Sequence, residues 1–407
     1  MLTKEEQLFI NTNLNTDTIK LVLNHHKYPD LDIKKLANQI NIRKKASTKL
    51  PTWANNAAIF FPSAISWQQC SSEYTAGYKA KVLKEVSEGD SVADLTGGFG
   101  VDALAFAKFF DRVIYFEQQK TLTEIVRYNS RILDQQNIEV VKGDSLEYLE
   151  NIEADCIYLD PARRDERQQK VIRLEDSTPN MVDIQDVLLA KAKYIMVKTS
   201  PMLDIHKALR SLKCVEAVHV VAVENECKEL LFVMNAALST IQHIALTCVN
   251  ISRKGGEQVF ETIWNNGESV NYSMPKRYLY DANKAILKGN VVDAVGHSFG
   301  LEKLAPNTQL LTSDDLHADF HGRIFEMIAI VKPSKKVIGQ YLKDGKANVI
   351  VRNFPESVAD LRKKWKVKDG GEVYLLAVTL NDNQKVVLVC KQVLNRAIKS
   401  ISNRKQC

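Results

Sequence analysis

The fold of this chain is decided by one stretch, Val92-Ala93-Asp94-Leu95-Thr96-Gly97-Gly98-Phe99-Gly100-Val101-Asp102. A short apolar run ends in an acidic residue, passes into a glycine cluster and continues as an apolar-periodic segment at residues 103–110. This order predicts a strand, a tight turn and a helix. Glycine lets the backbone approach a ligand without a Cβ clash, and the following helix start offers unpaired N–H groups. The stretch therefore predicts either a site for a nucleotide-like cofactor or an ordinary turn without a ligand.

Two classes of cofactor site use such a turn. A dinucleotide site requires the pattern G-x-G-x-x-G, and here Ala103 occupies the position of the third glycine. Sites for S-adenosylmethionine accept a looser turn that follows an acidic residue, as Asp94 does here. The residues beyond the turn must discriminate between the two classes.

Length and composition indicate a folded protein of two or three domains, since the chain has 407 residues, 45% of them apolar and 26% charged. No run of 18 apolar residues and no signal-peptide core is present, so we expect a cytoplasmic protein that does not enter membranes. Seven scattered cysteines without a C-x-x-C pair indicate reduced thiols and no zinc site. His317 and His321, spaced for a helix, lack an evident third ligand, so we expect no metal.

Positive charge is concentrated near the C-terminus. Residues 323–407 contain 18 Lys and Arg against 7 Asp and Glu, a net charge of +11 in a chain whose overall net charge is +6. This asymmetry predicts either an anionic partner for the C-terminal part or a solubilising surface.

From residue 91 onward, segments typical of strands and helices alternate regularly. Alternation of this kind predicts parallel strands with helices on both faces of the sheet, and a ligand at the carboxyl ends of the strands. An antiparallel pair at 217–223 and 230–234 is expected to close the sheet. The predicted strands are 91–95, 113–116, 138–141, 156–159 and 194–197, and the predicted helices are 101–110, 120–133, 145–149 and 184–190.

Four successive predicted strands end in an acidic residue: Asp94, Glu117, Asp144 and Asp160. Glu117 could accept hydrogen bonds from both ribose hydroxyls of an adenosine, and Asp144 could accept one from the adenine amino group. A single acid at a strand end usually caps the next helix. Four acids at one crevice would repel each other unless a ligand with hydroxyls, amines and a positive centre lay between them.

These motifs resemble, in order and spacing, those of class I S-adenosylmethionine-dependent methyltransferases, over roughly residues 72–235. The resemblance implies that Asp94 and its glycines lie against the methionine part of the cofactor, Glu117 on the ribose and Asp144 beside adenine. The cofactor-binding residues predicted in this way are Asp94, Thr96, Gly97, Gly98, Gly100, Asp102, Glu117 and Asp144.

The segment Asp160-Pro161-Ala162-Arg163 is similar to the Asp-Pro-x-Arg variants of a motif found in enzymes that methylate base amines, here RNA methyltransferases. Asp160 and the carbonyl of Pro161 are the predicted catalytic groups, because both could accept a hydrogen bond from an amino group. Arg163 and Arg164 could hold substrate phosphates or pair with acids nearby. Lys198 and Ser200, at the fifth strand end, are predicted to line the far side of the pocket.

The whole chain is similar to a group of bacterial methyltransferase-like proteins with a ferredoxin-like insert and a C-terminal THUMP-like domain. Because THUMP domains are associated with tRNA modification, the resemblance implies an RNA substrate, tRNA or rRNA. Phe354 and Trp365, set among cations, are expected to be exposed for base stacking. The residues that carry this resemblance are Tyr278-Leu279-Tyr280-Asp281, Leu310-Leu311-Thr312-Ser313, His321-Gly322-Arg323 and Val351-Arg352-Asn353-Phe354-Pro355.

The expected fold is α/β, with a Rossmann-like methyltransferase domain, a helical N-terminal cap and a small α+β THUMP-like domain. The expected boundaries are 1–70 for the cap, 71–237 for the methyltransferase domain, 238–323 for a linker and ferredoxin-like domain, and 324–398 for the THUMP-like domain.

An S-adenosylmethionine-dependent RNA methyltransferase accounts for the acidic strand ends and the basic tail together. Two alternatives stay open. A non-catalytic RNA-binding protein with a vestigial cofactor fold would share most of these features, and a nicotinamide oxidoreductase would account only for the glycine turn and Glu117. The oligomeric state is not predicted.

Overall fold

The computed structural model describes residues 1–163, 174–238 and 243–393. Two short 3₁₀ helices cover His25–Lys27 and Ser145–Asn151. None of the described helices combines the length and the apolar character needed to cross a lipid bilayer. The α-helices are α1 (Lys4–Thr12), α2 (Thr18–Leu23), α3 (Ile33–Ala46), α4 (Pro51–Asn55), α5 (Ala64–Gln69), α6 (Glu73–Val86), α7 (Val101–Phe106), α8 (Lys120–Ile132), α9 (Met181–Lys191), α10 (Ile205–Ser211), α11 (Lys284–Gly289), α12 (Val292–Phe299), α13 (Lys335–Gly339) and α14 (Val358–Trp365).

The strands follow the predicted alternation and add a second sheet. They are β1 (Ser91–Asp94), β2 (Arg112–Glu117), β3 (Ile138–Lys142), β4 (Cys156–Leu159), β5 (Ala162–Arg163), β6 (Ser177–Thr178), β7 (Tyr194–Thr199), β8 (Val215–Val223), β9 (Glu226–Asn235), β10 (Ala245–Ile251), β11 (Glu257–Ile263), β12 (Tyr278–Ala282), β13 (Glu302–Ala305), β14 (Thr308–Ser313), β15 (Gly322–Val331), β16 (Asn348–Arg352), β17 (Val373–Thr379) and β18 (Lys385–Val393).

The chain forms two compact units. The first comprises Met1–Ala217 and Leu230–Gln242, and the second comprises Val218–Glu229 and His243–Cys407. The hairpin of β8 and β9 therefore contributes its base to the first unit and its tip to the second. The four-domain division expected from the sequence stays a prediction.

In the first unit, β7, β4, β1, β2 and β3 lie side by side in parallel, and β9 pairs antiparallel with β7. Asp94 lies opposite both Tyr115 of β2 and Tyr158 of β4. The predicted α/β fold is confirmed, and the order puts the carboxyl ends of β1 to β4 at one edge of the sheet.

The N-terminal helices form the predicted cap, with an apolar cluster of their own that includes Phe9, Ile10 and Leu36. Two hydrogen bonds attach the segment after α4 to α8: the amide of Phe60 donates to Oδ1 of Asn129, and Nδ2 of Asn129 donates to the carbonyl of Phe60, each at 2.9 Å. Asn129 is buried, so these bonds satisfy an amide that burial would otherwise leave unpaired.

In the second unit, seven strands form one sheet in the order β13-β14-β12-β15-β18-β17-β16. This sheet and helices α11 to α14 agree with the α+β fold expected for the C-terminal part of the chain. The expected exposure of Trp365 is wrong: its side chain is 3% exposed and packs in a core cluster with Ile338 and Leu361, and Phe354 packs partly against the same cluster. Lys363, Lys364, Lys366 and Lys368 around it are exposed. Helical periodicity explains the difference, because Leu361 and Trp365 are four positions apart on one face of α14.

Candidate active site

The glycine turn between β1 and α7 has the shape that the sequence predicted. Gly98 and Gly100 have positive φ angles of 55° and 77°, and Gly100 is the left-handed residue before α7. A Cβ atom on Gly97 would lie 2.1 Å from Cε2 of Tyr115, and one on Gly100 would lie 2.7 Å from Cγ2 of Val126. Glycine is therefore required at 97 for space, and at 100 for both space and conformation.

Glu117 ends β2 against this turn. Its Oε2 accepts a hydrogen bond from the amide of Gly98 at 2.9 Å, and its Oε1 accepts one from the amide of Gln119 at 2.7 Å. The hydroxyl of Tyr115 donates to the carbonyl of Gly98 at 2.5 Å. Because a carboxylate has about four acceptor positions, two backbone donors orient Glu117 and leave each oxygen able to accept once more.

Asp94 ends β1 with only 1% of its surface exposed. Its Oδ1 accepts a hydrogen bond from the amide of Thr96 at 3.0 Å, and no described residue donates to its buried Oδ2. Burial, followed by the nearby charge of Asp102, raises the pKa of Asp94 well above its usual value. Oδ2 therefore has no donor among the described residues, and a ligand amino group would supply one.

Asp102, in the first turn of α7, is held by residues that were not among the predicted site residues. Nζ of Lys79 lies 2.8 Å from Oδ1, while the hydroxyls of Ser71 and Tyr158 donate to Oδ2 at 2.8 and 3.0 Å. Burial tends to raise the pKa of Asp102, but the charge and hydrogen bonding of Lys79 lower it below its usual value. This network fixes Asp102 close to Asp94.

Lys79 is 0% exposed, and its Nζ also donates to the hydroxyl of Ser71 at 2.6 Å. A signal for it was present in the sequence. Thr75, Lys79 and Leu83 recur at intervals of four residues, and all three are buried on one face of α6. A lysine on a buried helix face requires a charged partner, which here is Asp102.

Asp144 caps the 3₁₀ helix that begins at Ser145, since its Oδ1 accepts from the amide of Leu146 at 3.0 Å. The hydroxyl of Ser145 donates to the carbonyl of Leu95 at 2.9 Å, which attaches the end of β3 to the end of β1. The capping role expected of a single acid at a strand end is thus present, and its contact with adenine stays a prediction.

Asp160 follows β4 and lies beside the turn after β1. Its amide donates to Oγ1 of Thr96 at 2.6 Å, and Nζ of Lys198, in β7, lies 2.5 Å from its Oδ2. The side chain of Asp160 is 32% exposed. The structure therefore brings together three predicted residues, Thr96, Asp160 and Lys198, at the carboxyl ends of β1, β4 and β7.

The remaining predicted residues are more peripheral. Pro161 is half-buried, and Oγ of Ser200 accepts from the amide of Met202 at 3.2 Å, so it stabilises the turn after β7. Arg163 ends β5, which pairs with β6, but its side chain lies outside the described residues, as does the whole of Arg164.

His317 and His321 do not lie on a helix, contrary to their helical spacing. They belong to the loop between β14 and β15, and both rings lie edge-on to Phe299, with centroid distances of 6.1 and 5.7 Å. Within residues 1–163, 174–238 and 243–393, no group of three or more potential metal ligands was found.

Comparisons with known proteins agree with this architecture. Residues 278–320 match a model of a ferredoxin-like domain, and residues 322–392 match a THUMP domain-like model. The crystal structure of a candidate methyltransferase from Porphyromonas gingivalis W83 has a TM-score of 0.84 and 31% sequence identity, over 97% of this chain and 100% of that chain. This chain belongs to the same family. The chain combines a methyltransferase-like α/β fold with a ferredoxin-like domain and a C-terminal THUMP-like domain.

More distant likenesses cover a smaller part of the chain. A candidate rRNA methylase from Clostridium thermocellum is 19% identical over 39% of this chain and 95% of that chain, with a TM-score of 0.30. An rRNA methylase from Streptococcus thermophilus is 14% identical over 39% and 94% of the two chains, also with a TM-score of 0.30. Likenesses this weak do not establish a shared activity. Among curated proteins, none matches this member of the family.

Proposed function

We propose that the chain is an S-adenosylmethionine-dependent methyltransferase that modifies a base amine in tRNA or rRNA. The observation that carries the proposal is the juxtaposition of Asp160, paired with Lys198, and the glycine turn that presents Glu117 and Asp94. The cofactor-binding turn and an acceptor for an incoming amine would then lie at one edge of the sheet. A nicotinamide site would not require Asp160.

The acidic residues suit the polar groups of the cofactor. Glu117, with one acceptor position left on each oxygen, would hold the ribose hydroxyls, and the unpaired Oδ2 of Asp94 would accept from the amino group. Asp144 would lie beside adenine, and the backbone of Thr96, Gly97, Gly98 and Gly100 would line the methionine part. When bound, S-adenosylmethionine supplies a methyl group already activated by its sulfonium centre. Asp102, held by Lys79, would add negative charge near the amino group of the cofactor.

Asp160 would orient the substrate amine. Lys198 pairs with Oδ2, and no described residue donates to Oδ1, which leaves one oxygen to accept a hydrogen bond from the amine. The carbonyl of Pro161 would accept the second N–H. These two acceptors would direct the nitrogen lone pair toward the methyl group and stabilise the positive charge that develops on nitrogen. Alignment is the main task, because the methyl group needs no further activation.

The second unit would bind the RNA. It contains the THUMP-like match and most of the excess positive charge, with Lys363, Lys364, Lys366 and Lys368 exposed on and after α14. Since Trp365 is buried, this surface would bind phosphates by charge rather than bases by stacking. A cytoplasmic location stays a prediction.

Two measurements test the proposal. Calorimetry with S-adenosylmethionine should give saturable binding to the full chain, and the absence of binding would remove the cofactor assignment. Mass spectrometry of nucleosides from tRNA and rRNA should reveal one methylated base amine that disappears when the gene is deleted and returns with wild type. Cofactor binding without the disappearance of any modification would favour the non-catalytic alternative.

A further inference from the structure

In the second unit, two arginines share one buried carboxylate. Asp281 of β12 is 2% exposed, and Arg323 of β15 is its direct antiparallel neighbour. Nη2 and Nε of Arg323 donate to Oδ2 of Asp281 at 2.6 and 3.2 Å. Nη2 and Nε of Arg352, at the end of β16, donate to Oδ1 at 2.6 and 2.9 Å. Each carboxylate oxygen is thus saturated by a different guanidinium group.

The surrounding backbone fixes these arginines in place. A Cβ atom on Gly322 would lie 2.2 Å from the carbonyl oxygen of Asp281, so glycine is required for β15 to approach β12 next to Arg323. The guanidinium carbon of Arg323 lies 5.6 Å from the ring centroid of buried Phe325, and Nη1 of Arg352 donates to the carbonyl of Val351 at 2.9 Å. The side chains of Arg323 and Arg352 are therefore oriented before any ligand binds.

A third cation lies near this pair. Lys284 begins α11, and its amide donates to Oδ1 of Asn225 at 2.7 Å, which attaches the helix start to the tip of the β8–β9 hairpin. Burial, and then the charge of Arg352, lowers the pKa of Lys284; the charge of Asp281 partly opposes this, and Arg323 adds a smaller lowering effect. Within the described parts of the chain, its ammonium group forms no ion pair.

The local charge is unbalanced. Among the described residues, these three cations lie around one carboxylate, which is an excess of two positive charges. A purely structural ion pair would need a single arginine, and a second one adds repulsion that the fold must offset. The side chains of Arg323 and Arg352 are 35% and 16% exposed, and no described residue accepts from Nη1 of Arg323. The cluster can therefore be reached from solvent and retains donors.

We propose that Lys284, Arg323 and Arg352, oriented by Asp281, form a binding site for a terminal phosphate group. A phosphomonoester carries close to two negative charges at neutral pH, which matches this excess of two positive charges, whereas a phosphodiester carries only one. Planar guanidinium groups provide the paired donors that phosphate oxygens accept. The phosphate comes either from the end of an RNA or from a small phosphorylated molecule. This site does not depend on the methyl-transfer chemistry proposed above.

The test uses the full-length protein and three probes. These are a short RNA with a 5′-phosphate, the same RNA with a 5′-hydroxyl, and inorganic phosphate alone. Fluorescence anisotropy measures RNA affinity, and calorimetry measures phosphate binding. Lys284→Gln removes one cation without breaking a described ion pair, and Arg323→Gln removes a second while Arg352 still holds Asp281. Lys254→Gln, an exposed lysine of the same unit, is the matched control.

If the phosphate is the end of an RNA, the 5′-phosphate should strengthen RNA binding by about tenfold. Lys284→Gln and Arg323→Gln should abolish this gain in affinity, and Lys254→Gln should keep it. If the phosphate belongs to a small molecule, inorganic phosphate should bind, and Lys284→Gln and Arg323→Gln should weaken this binding while Lys254→Gln does not. The two RNAs should then bind alike. The proposal is overturned if the two RNAs bind alike and inorganic phosphate does not bind. It is also overturned if Lys284→Gln and Arg323→Gln both behave like Lys254→Gln. Thermal unfolding of each variant verifies that the fold is retained.

Discussion

Nζ of Lys198 lies 2.5 Å from Oδ2 of Asp160, and no residue in the described ranges donates to the other oxygen of this carboxylate. The two residues come from the carboxyl ends of adjacent parallel strands, β7 and β4. This pair orients the Asp160 carboxylate at the carboxyl edge of the sheet.

Asp160→Asn should retain affinity for S-adenosylmethionine and lose turnover by about a hundredfold or more, because one aligned charge in the transition state is removed. Asp111→Asn, an exposed carboxylate of the same unit, is the control. The measurement is methyl transfer to bulk RNA from a deletion strain, alongside calorimetry with the cofactor. Equal turnover in the two variants would show that Asp160 only organises the loop after β4.

Glu117→Ala should weaken S-adenosylmethionine binding by about 2 kcal/mol, because two ribose hydroxyls would lose their acceptor. Glu124→Gln, on the exposed side of α8, should bind as wild type does. Calorimetry measures the dissociation constant of S-adenosylmethionine for the wild type, Glu117→Ala and Glu124→Gln. Unchanged affinity in Glu117→Ala would remove Glu117 from the cofactor site.

Asp94→Asn should stabilise the protein without cofactor at neutral pH and weaken cofactor binding. The pKa of Asp94 is raised by burial and by Asp102, so above the ordinary carboxyl pKa the folded state holds this proton more tightly than the unfolded state does. The contribution of the Asp94 carboxyl group to the free energy of unfolding of the wild type therefore falls as pH rises from about 4. Thermal unfolding midpoints measured from pH 4 to 8 should show the advantage of Asp94→Asn growing with pH. A constant difference would contradict this assignment.

Lys79→Met should destabilise the protein by about 3–5 kcal/mol, because the buried carboxylate of Asp102 would lose its charged partner. Adding Asp102→Asn should recover part of that loss by removing the uncompensated charge. Urea unfolding of the wild type, both single variants and the double variant measures the coupling energy. Additive effects would indicate that Lys79 and Asp102 act independently.

RNA affinity should fall steeply with salt, since each neutralised phosphate releases counterions. Lys363→Gln combined with Lys368→Gln should reduce the slope of log affinity against log salt by about 0.7 for each single-strand phosphate that the variant no longer neutralises. Lys81→Gln combined with Lys120→Gln removes the same charge from exposed sites of the first unit and should leave the slope nearly unchanged. Identical slopes in both double variants would place the RNA elsewhere.

The buried position of Trp365 illustrates where pattern reading failed. Four lysines near it suggested a stacking surface, yet the aromatic ring lies on the apolar face of α14, while Lys363 and Lys364 of this helix and Lys366 and Lys368 after it are exposed. Local composition does not reveal which way a side chain points; the partner that covers the helix decides this, and here it is the second sheet.

The sequence by itself determined the alternation of strands and helices, the glycine turn at 97–100 and the acids at four strand ends. These features depend on periodicity and backbone conformation within a few residues. Only the tertiary structure decided that Lys79 neutralises Asp102, that Lys198 pairs with Asp160 across 38 residues, and that Arg352 joins Asp281 across 71. Such pairings depend on strand order and on the packing of distant faces, and burial then makes each unpaired charge costly enough to require its partner.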